Sequence, residues 1–306
     1  MTEAPIHNSV DPETTSTRKR RRGDRRDGRL LHSLDPLNRV SPYIMSTRNG
    51  AANYFQGEVD IRAAERYVRQ KRVEGLKGFG LLHFFIAAYV RTLSQRPGLN
   101  RFISGQKLYA RNNIEIIFTV KKELSISGQE TAVKISCAPT DTAVDIFRRV
   151  SEAVKEARHD GDSNDVDGAA RFFSKIPGLF LKFVVWLLTK LDYFGKMPRI
   201  IESLSPFHGS LFISDLGSIN LPPVMHHLYD FGNIPLFLAF GPKSQETILD
   251  KTGNPVERRF LRFGLTLDER ITDGFYFSGC WRIFREVFAT PELLDSPPEK
   301  VVEDVP

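Results

Sequence analysis

Three stretches of this chain carry side chains able to do chemistry at spacings that gather them together. The richest is Leu265-Thr266-Leu267-Asp268-Glu269-Arg270-Ile271-Thr272-Asp273-Gly274. An apolar, alternating run ends there among ionisable groups, and a helical period begins at Asp273-Gly274. Ionisable groups at a strand end beside a helix start make a candidate for proton transfer. Asp273 has a structural alternative, since an N-cap carboxylate accepts backbone N–H bonds.

The second stretch is Gly209-Ser210-Leu211-Phe212-Ile213-Ser214-Asp215-Leu216-Gly217. Strand alternation puts Ser210, Phe212 and Ser214 on one face and Leu211 and Ile213 on the other. A hydroxyl at the start of such a strand either donates to a developing oxyanion or bonds nearby backbone, and the residues alone leave both open. The third stretch, Pro222-Pro223-Val224-Met225-His226-His227-Leu228-Tyr229-Asp230, holds adjacent histidines. Neighbours on an extended chain point to different sides, and no matching Cys or acid pattern lies nearby, so a shared zinc is not expected. One of the two entering a pocket from a loop is the functional alternative. The polar run 159–168 lacks the Asp spacing and closing Glu of a calcium loop. No glycine-rich dinucleotide fingerprint, phosphate-binding loop or nucleophile elbow is present.

The elements that must position these groups follow from periodicity. A polar arm fills 1–28. A strand is expected over 53–59, then Asp60 capping a helix over 61–72. Residues 80–95 read as a helix apolar nearly all round, hence buried on several sides, with His83 as a hydrogen-bonded core histidine. Arg96-Pro97-Gly98 ends it. Strands are expected at 101–110, 113–120 and 131–137, with a turn at Ser127-Gly128-Gln129. A helix over 141–159 is capped by Thr140 or Asp141 and carries Val144, Phe147, Val150 and Val154 as its apolar stripe. Further elements are a helix over 171–194, strands at 210–214, 234–240 and 260–267, and a helix over 274–289. A Pro- and acid-rich tail of little structure, 291–306, closes the chain. Helices alternating with paired strands predict an α/β fold, a mixed sheet covered by helices, as one domain over 29–290.

Composition agrees: of 306 residues, 41% are hydrophobic and 26% charged, with 23 Phe, which argues against disorder of the chain as a whole. The net charge is +6, and residues 1–29 hold eight Lys/Arg against five Asp/Glu. A basic arm suits anionic lipid, nucleic acid or a phosphorylated partner, but no zinc-finger spacing or recognition helix accompanies it, so nucleic acid is not expected. Two cysteines, Cys137 and Cys280, make no disulfide framework, and the start lacks an apolar leader. A cytoplasmic setting is expected. The apolar run 179–188 is interrupted by Lys182 and is too short to span a bilayer; it reads as a core or interface helix, with peripheral membrane contact as the alternative.

Four markers in order resemble the catalytic domain of the acyltransferase (E2) component of 2-oxo acid dehydrogenase complexes and, more distantly, chloramphenicol acetyltransferase. They are Gly57-Glu58-Val59-Asp60-Ile61; the helix 81–93 running into Arg96-Pro97-Gly98-Leu99-Asn100; 209–217; and 267–274. The resemblance covers roughly 35–290, and within it the chain resembles a bacterial subgroup of stand-alone proteins. It implies the chloramphenicol acetyltransferase-like sandwich and coenzyme A or acyl-CoA as a substrate, with no metal and no covalent lipoyl group. In the family block a histidine is the general base; Glu269 stands at the matching position. Asp273 matches the block's aspartate and Gly274 its tight turn. Ser210 matches the hydroxyl that bonds the oxyanion. Ser214, His226, His227 and Gly274 are expected at the CoA site, and Arg39 or Arg48 as the partner of the block's aspartate. The family's trimers, with sites between subunits, imply a homotrimer here. The missing lipoyl and linker segments imply that the chain is not the core of a dehydrogenase complex.

Replacing imidazole by carboxylate opens two expectations. Either the chain transfers acyl groups to a thiol, hydroxyl or amine with Glu269 as base, or it is an inactive homologue that binds CoA, acyl-CoA or a protein. A carboxylate near 4.3 in water is mismatched to a thiol near 8.5, at a cost of roughly 5–6 kcal/mol in proton transfer. Burial offsets part of that by raising a carboxyl.

Overall fold

The computed structural model describes residues 20–121, 130–159, 176–250 and 252–306. The segment Ser127-Gly128-Gln129 and nearly all of 159–168 lie outside them. In chain order the elements are β1 (Gly28–Leu30), α1 (Pro36–Ile44), β2 (Ala52–Asp60), α2 (Arg62–Val73) and α3 (Leu81–Gln95). Next come β3 (Arg101–Ser104), β4 (Lys107–Arg111), β5 (Ile114–Lys121), β6 (Glu130–Cys137), α4 (Ala143–His159), α5 (Gly178–Tyr193) and α6 (Arg199–Leu204). The chain finishes with β7 (Leu211–Asp215), β8 (Leu236–Leu249), β9 (Pro255–Asp268) and α7 (Gly274–Ala289).

Among the described residues, six strands form one sheet in the order β2-β9-β8-β7-β5-β6. β7 runs parallel to β5 and β8, while the other pairs are antiparallel, so the sheet is mixed. One face packs on α2, α3, α4 and α7. The all-round apolar pattern of α3 has the expected consequence: Phe84, Phe85 and Ile86 are fully buried, and Phe85 stacks on Phe240 of β8 at 4.4 Å. His83 is indeed a bonded histidine of that layer. Its Nδ1 accepts from the Gly80 N–H at 3.2 Å, and burial, helped by Arg72, lowers its pKa to about 4. The opposite face carries a smaller apolar cluster, Ile117, Phe212, Phe237 and Ala239, covered by Leu228 and Ile234.

Several expectations change. The run 101–110 is a hairpin rather than a strand, because Gly105 and Gln106 both take positive φ (57° and 56°), the geometry of a tight two-residue turn. The α4 cap is Thr142, not Thr140 or Asp141: Thr142 Oγ1 accepts from the Asp145 N–H at 3.3 Å and Asp145 Oδ2 from the Thr142 N–H at 3.0 Å. Val144 is exposed, and the helix buries Ala143, Ile146 and Val150. Asp60 precedes the N-cap Ile61, yet still accepts from the Arg62 N–H at 2.9 Å.

The tail has no regular element beyond the short turn Pro291–Leu294, but it is pinned. Val302 N–H donates to Ser94 O at 2.8 Å, and Asp304 accepts from Arg101 Nε at 2.7 Å. Its partners lie some two hundred residues upstream, beyond any local pattern. The end of the basic arm is likewise structural: Arg25 is buried, not solvated.

Candidate active site

β9 delivers the ionisable block to one end of the sheet, at its own last residue. That residue, Asp268, pairs with Ala52 of β2, and the next N–H, that of Glu269, donates to Ala51 O at 2.9 Å. The alternation that buries Leu265 and Leu267 under the helices turns Thr266 and Asp268 to the other face. Asp268 is fully buried there, and Arg270 clamps it, Nε to Oδ1 at 2.8 Å and Nη2 to Oδ2 at 2.7 Å. Arg48 approaches from beyond α1, its Nε 3.8 Å from Asp268 Oδ2. Its remaining nitrogens serve the carbonyls of Tyr229 (2.9 Å) and Ile103 (3.1 Å). One carboxylate thus faces two buried guanidiniums. Burial, together with the neighbouring Arg270 charge and against the pull of Asp268, lowers the Arg48 pKa, and its Nε has no hydrogen-bond partner.

Glu269 projects outward from this charged base. It is exposed, and its Oε2 accepts from Asn53 Nδ2 at 2.8 Å, which fixes the carboxylate's direction. Asp273 is an N-cap whose Oδ1 accepts from the Tyr276 N–H at 2.7 Å. Neither Arg39 nor Arg48 pairs with it. Arg39 reaches the His32 carbonyl and Arg48 reaches Asp268 instead. Gly274 opens α7 with no atom within 4 Å of where a Cβ would stand. The α7 start borders a cavity of about 500 Å³ that carries Arg96, Arg101, Arg282, Phe275 and Tyr276.

The hydroxyls just before and within β7, Ser210 and Ser214, differ. Ser210 is fully buried; its Oγ accepts from the Glu115 N–H at 2.9 Å and leans on Asn113 O at 3.5 Å. Ser214 is half-buried, and no hydrogen bond engages its hydroxyl among the described residues. Ser214 pairs across to Ala239, and Ala239 to Gly264 on β9. At about 3.3 Å per residue and 4.8 Å per strand, Ser214 and Glu269 of one chain stand roughly 15–20 Å apart. A single chain therefore does not bring them to one reacting atom.

The 222–230 segment lies over the same sheet face. Gly264 admits it: a Cβ there would meet Val224 O at 2.5 Å. The His226 ring stacks on Phe237 at 3.9 Å, and its Nδ1 stands 2.7 Å from His227 O. Burial lowers its pKa. His227 is exposed. Among the described residues no group of three or more His, Cys, Asp or Glu could hold a metal ion.

Sequence reasoning missed a buried polar network behind Ser210. Asn233 accepts from Gly209 N–H (3.2 Å) and Arg111 (2.8 Å) and donates to Asp27 (3.0 Å). Arg25 joins Asp27 (2.8 Å) to Asp192 (2.7 Å), and His208 Nε2 faces Asp192 at 3.7 Å, beyond hydrogen-bond reach. No local signal marks these contacts, since Arg25 and Asp192 are 167 residues apart. Burial pushes the Asp192 carboxyl up, but His208 and Arg25 more than reverse this and hold it below the ordinary carboxylate value. A depressed folded pKa stabilises the fold above the unfolded value, near 3.9, and that contribution disappears as pH falls through the folded one. The urea midpoint should drop steeply below about pH 5. Asp192→Asn should make the decline shallower, and an unchanged pH profile in that variant would remove Asp192 from the account.

No protein-family model matches the chain, and no curated protein matches it in sequence. Solved structures do. A probable dihydrolipoamide acetyltransferase from Listeria monocytogenes 4b F2365 is similar with a TM-score of 0.55 and 16% identity, over 84% of this chain and 93% of that one. Chloramphenicol acetyltransferase is similar with a TM-score of 0.52 and 10% identity, over 85% of this chain and 99% of that one. The truncated catalytic core of the 2-oxoacid dehydrogenase complex from Thermoplasma acidophilum gives 0.50 and 14%, over 85% and 98%. The chain therefore has the α/β sandwich fold shared by chloramphenicol acetyltransferase and the dihydrolipoamide acetyltransferase cores, a mixed sheet covered by helices.

Proposed function

We propose that the chain is a CoA-dependent acyltransferase acting as a homotrimer, with Glu269 of one copy facing the sheet of the next. The observation that carries this is the outward carboxylate of Glu269, aimed by Asn53 from the end of β9 in a fold of this kind. Its separation from Ser214 within one chain is what a composite site between copies would resolve. In the reaction Glu269 takes the proton of the acceptor thiol, hydroxyl or amine as the acceptor atom attacks the thioester carbonyl. The C–S bond then breaks, and the CoA thiolate leaves and takes up a proton. The oxyanion contact falls to Ser214, whose hydroxyl is open, rather than to Ser210, which is committed to backbone. In the cavity beside Gly274 Arg101 is held by Asp304, which leaves Arg96 and Arg282 with the Phe275 and Tyr276 rings for the phosphates and base of CoA.

A second reading, binding of CoA or acyl-CoA without turnover, is favoured by the exposure of Glu269, since a solvated carboxylate abstracts a thiol proton poorly. One assay separates them. The chain is mixed with acetyl-CoA and a panel of thiol, hydroxyl and amine acceptors, free CoA is separated from acetyl-CoA and quantified by chromatography, and CoA binding is measured by calorimetry. Acceptor-dependent release is expected. Tight CoA binding without release would establish the second reading, neither signal would refute both, and a strictly monomeric mass would refute the composite site.

A further inference from the structure

Helix α5 buries one edge and leaves the rest of an apolar surface open. Leu188 and Asp192 are buried, with Leu181, Val184 and Leu191 half-buried beside them. At 3.6 residues per turn these positions fall on one side. The other side presents Leu179 (87% exposed), Phe180 (56%), Phe183 (52%) and Trp186 (53%). The three rings form a row, with centroids 6.4 Å apart for Phe180–Phe183 and 5.8 Å for Phe183–Trp186. A contiguous apolar row of this kind marks a contact surface rather than scattered exposure.

Charge identifies what the surface meets. Lys182 and Lys190 rise from the same open side, and Lys196 and Arg199 follow just past the helix; all four are exposed and have no acid partner among the described residues. The acids of this stretch are turned inward: Asp192 is taken by Arg25 at 2.7 Å and Glu202 by Arg26 at 3.0 Å. Those two pairs also tie Arg25 and Arg26 of the basic run to α5 and α6, and Arg20, Arg21 and Arg22 just upstream are exposed. Aromatic and aliphatic side chains interleaved with unpaired cations match the acyl–headgroup boundary of an anionic bilayer. On such a boundary lysine stems generally lie along apolar surface while their ammonium groups reach the phosphates. A twofold contact between copies would set these cations against their own counterparts, whereas the threefold contact of a trimer would not, and the assembled mass of the variants below separates that case.

We propose that α5 and the basic segment leading into β1 form a docking surface for an anionic lipid bilayer, with the helix lying in the headgroup layer. It does not span: 16 residues give about 24 Å, short of the roughly 30 Å hydrocarbon core, and no described helix is long and apolar enough to cross a membrane.

The test is co-sedimentation of the full chain with vesicles of phosphatidylcholine, alone or mixed with phosphatidylglycerol. Binding is expected to the mixed vesicles only, and to fall with added salt. The double variant Phe183→Glu/Trp186→Glu should lose about tenfold or more in partitioning, and Lys182→Glu/Lys190→Glu about tenfold, with a weaker salt dependence. All four positions are exposed, and unchanged thermal unfolding confirms that the variants fold. In a Trp281→Phe background, Trp186 emission should shift to the blue on adding the mixed vesicles. No sedimentation, equal binding to neutral vesicles, or undiminished binding by either double variant would overturn the proposal. So would a fall in assembled mass for Phe183→Glu/Trp186→Glu with vesicle binding unchanged, which would make the face a contact between copies.

Discussion

Arg270→Ala is expected to lower the free energy of unfolding by about 3–5 kcal/mol, read from urea denaturation at neutral pH. The reason is asymmetric. Forming a buried ion pair contributes little net stability, because both ions lose their water. Removing one partner leaves the other's desolvation uncompensated. Asp268 is fully buried and takes both of its close charge-assisted bonds from Arg270. After truncation its nearest cation is Arg48 at 3.8 Å, already engaged with carbonyls. Arg270 Nη1 also holds Met45 O at 2.7 Å, so the segment after α1 loosens at the same time. The double variant Asp268→Asn/Arg270→Met should lose clearly less than Arg270→Ala, since no unpaired carboxylate remains. A cost under about 1 kcal/mol for the single variant would show that water or Arg48 rescues the carboxylate, and the triad would lose its structural meaning.

Glu269→Gln should reduce acceptor-dependent release of CoA by about 10²–10⁴ in kcat, leaving CoA affinity within about threefold. The amide keeps shape and the Asn53 contact region but cannot take a proton. Glu269→His should act in the opposite direction toward thiol acceptors at pH 7–8, because imidazole near 6.5 lies closer to a thiol near 8.5 than a carboxylate does. The two variants together distinguish a base from a spectator: steady-state rates for both that equal those of the native chain would discard Glu269 as the proton acceptor. Exposure of Glu269 keeps its substitution from costing much stability, so a lost rate is not a lost fold.

Much of the layout was legible along the chain because its causes are local. The all-round apolar stretch 81–95 needed only its own residues to be recognised as a buried helix, and Asp273 announced the start of α7 by its type and position. Alternation in 210–214 and 260–267 gave the strands and their faces. Motif order suggested the acyltransferase-like sandwich that the solved structures bear out.

Other features required distance in sequence to become nearness in space. The hairpin within 101–110 depended on two positive φ angles that Gly105 signals but Gln106 does not. Arg48 found Asp268 rather than Asp273, and Ser210 turned its hydroxyl into the sheet, because partners more than ninety residues away were already in place. The acidic tail reads as unstructured until Ser94 and Arg101 meet it. Periodicity reports which face a residue takes, since that is set within a turn or two of chain. Which group waits on that face, and whether a hydroxyl or carboxylate is spent on backbone or left open, is decided only when the layers close.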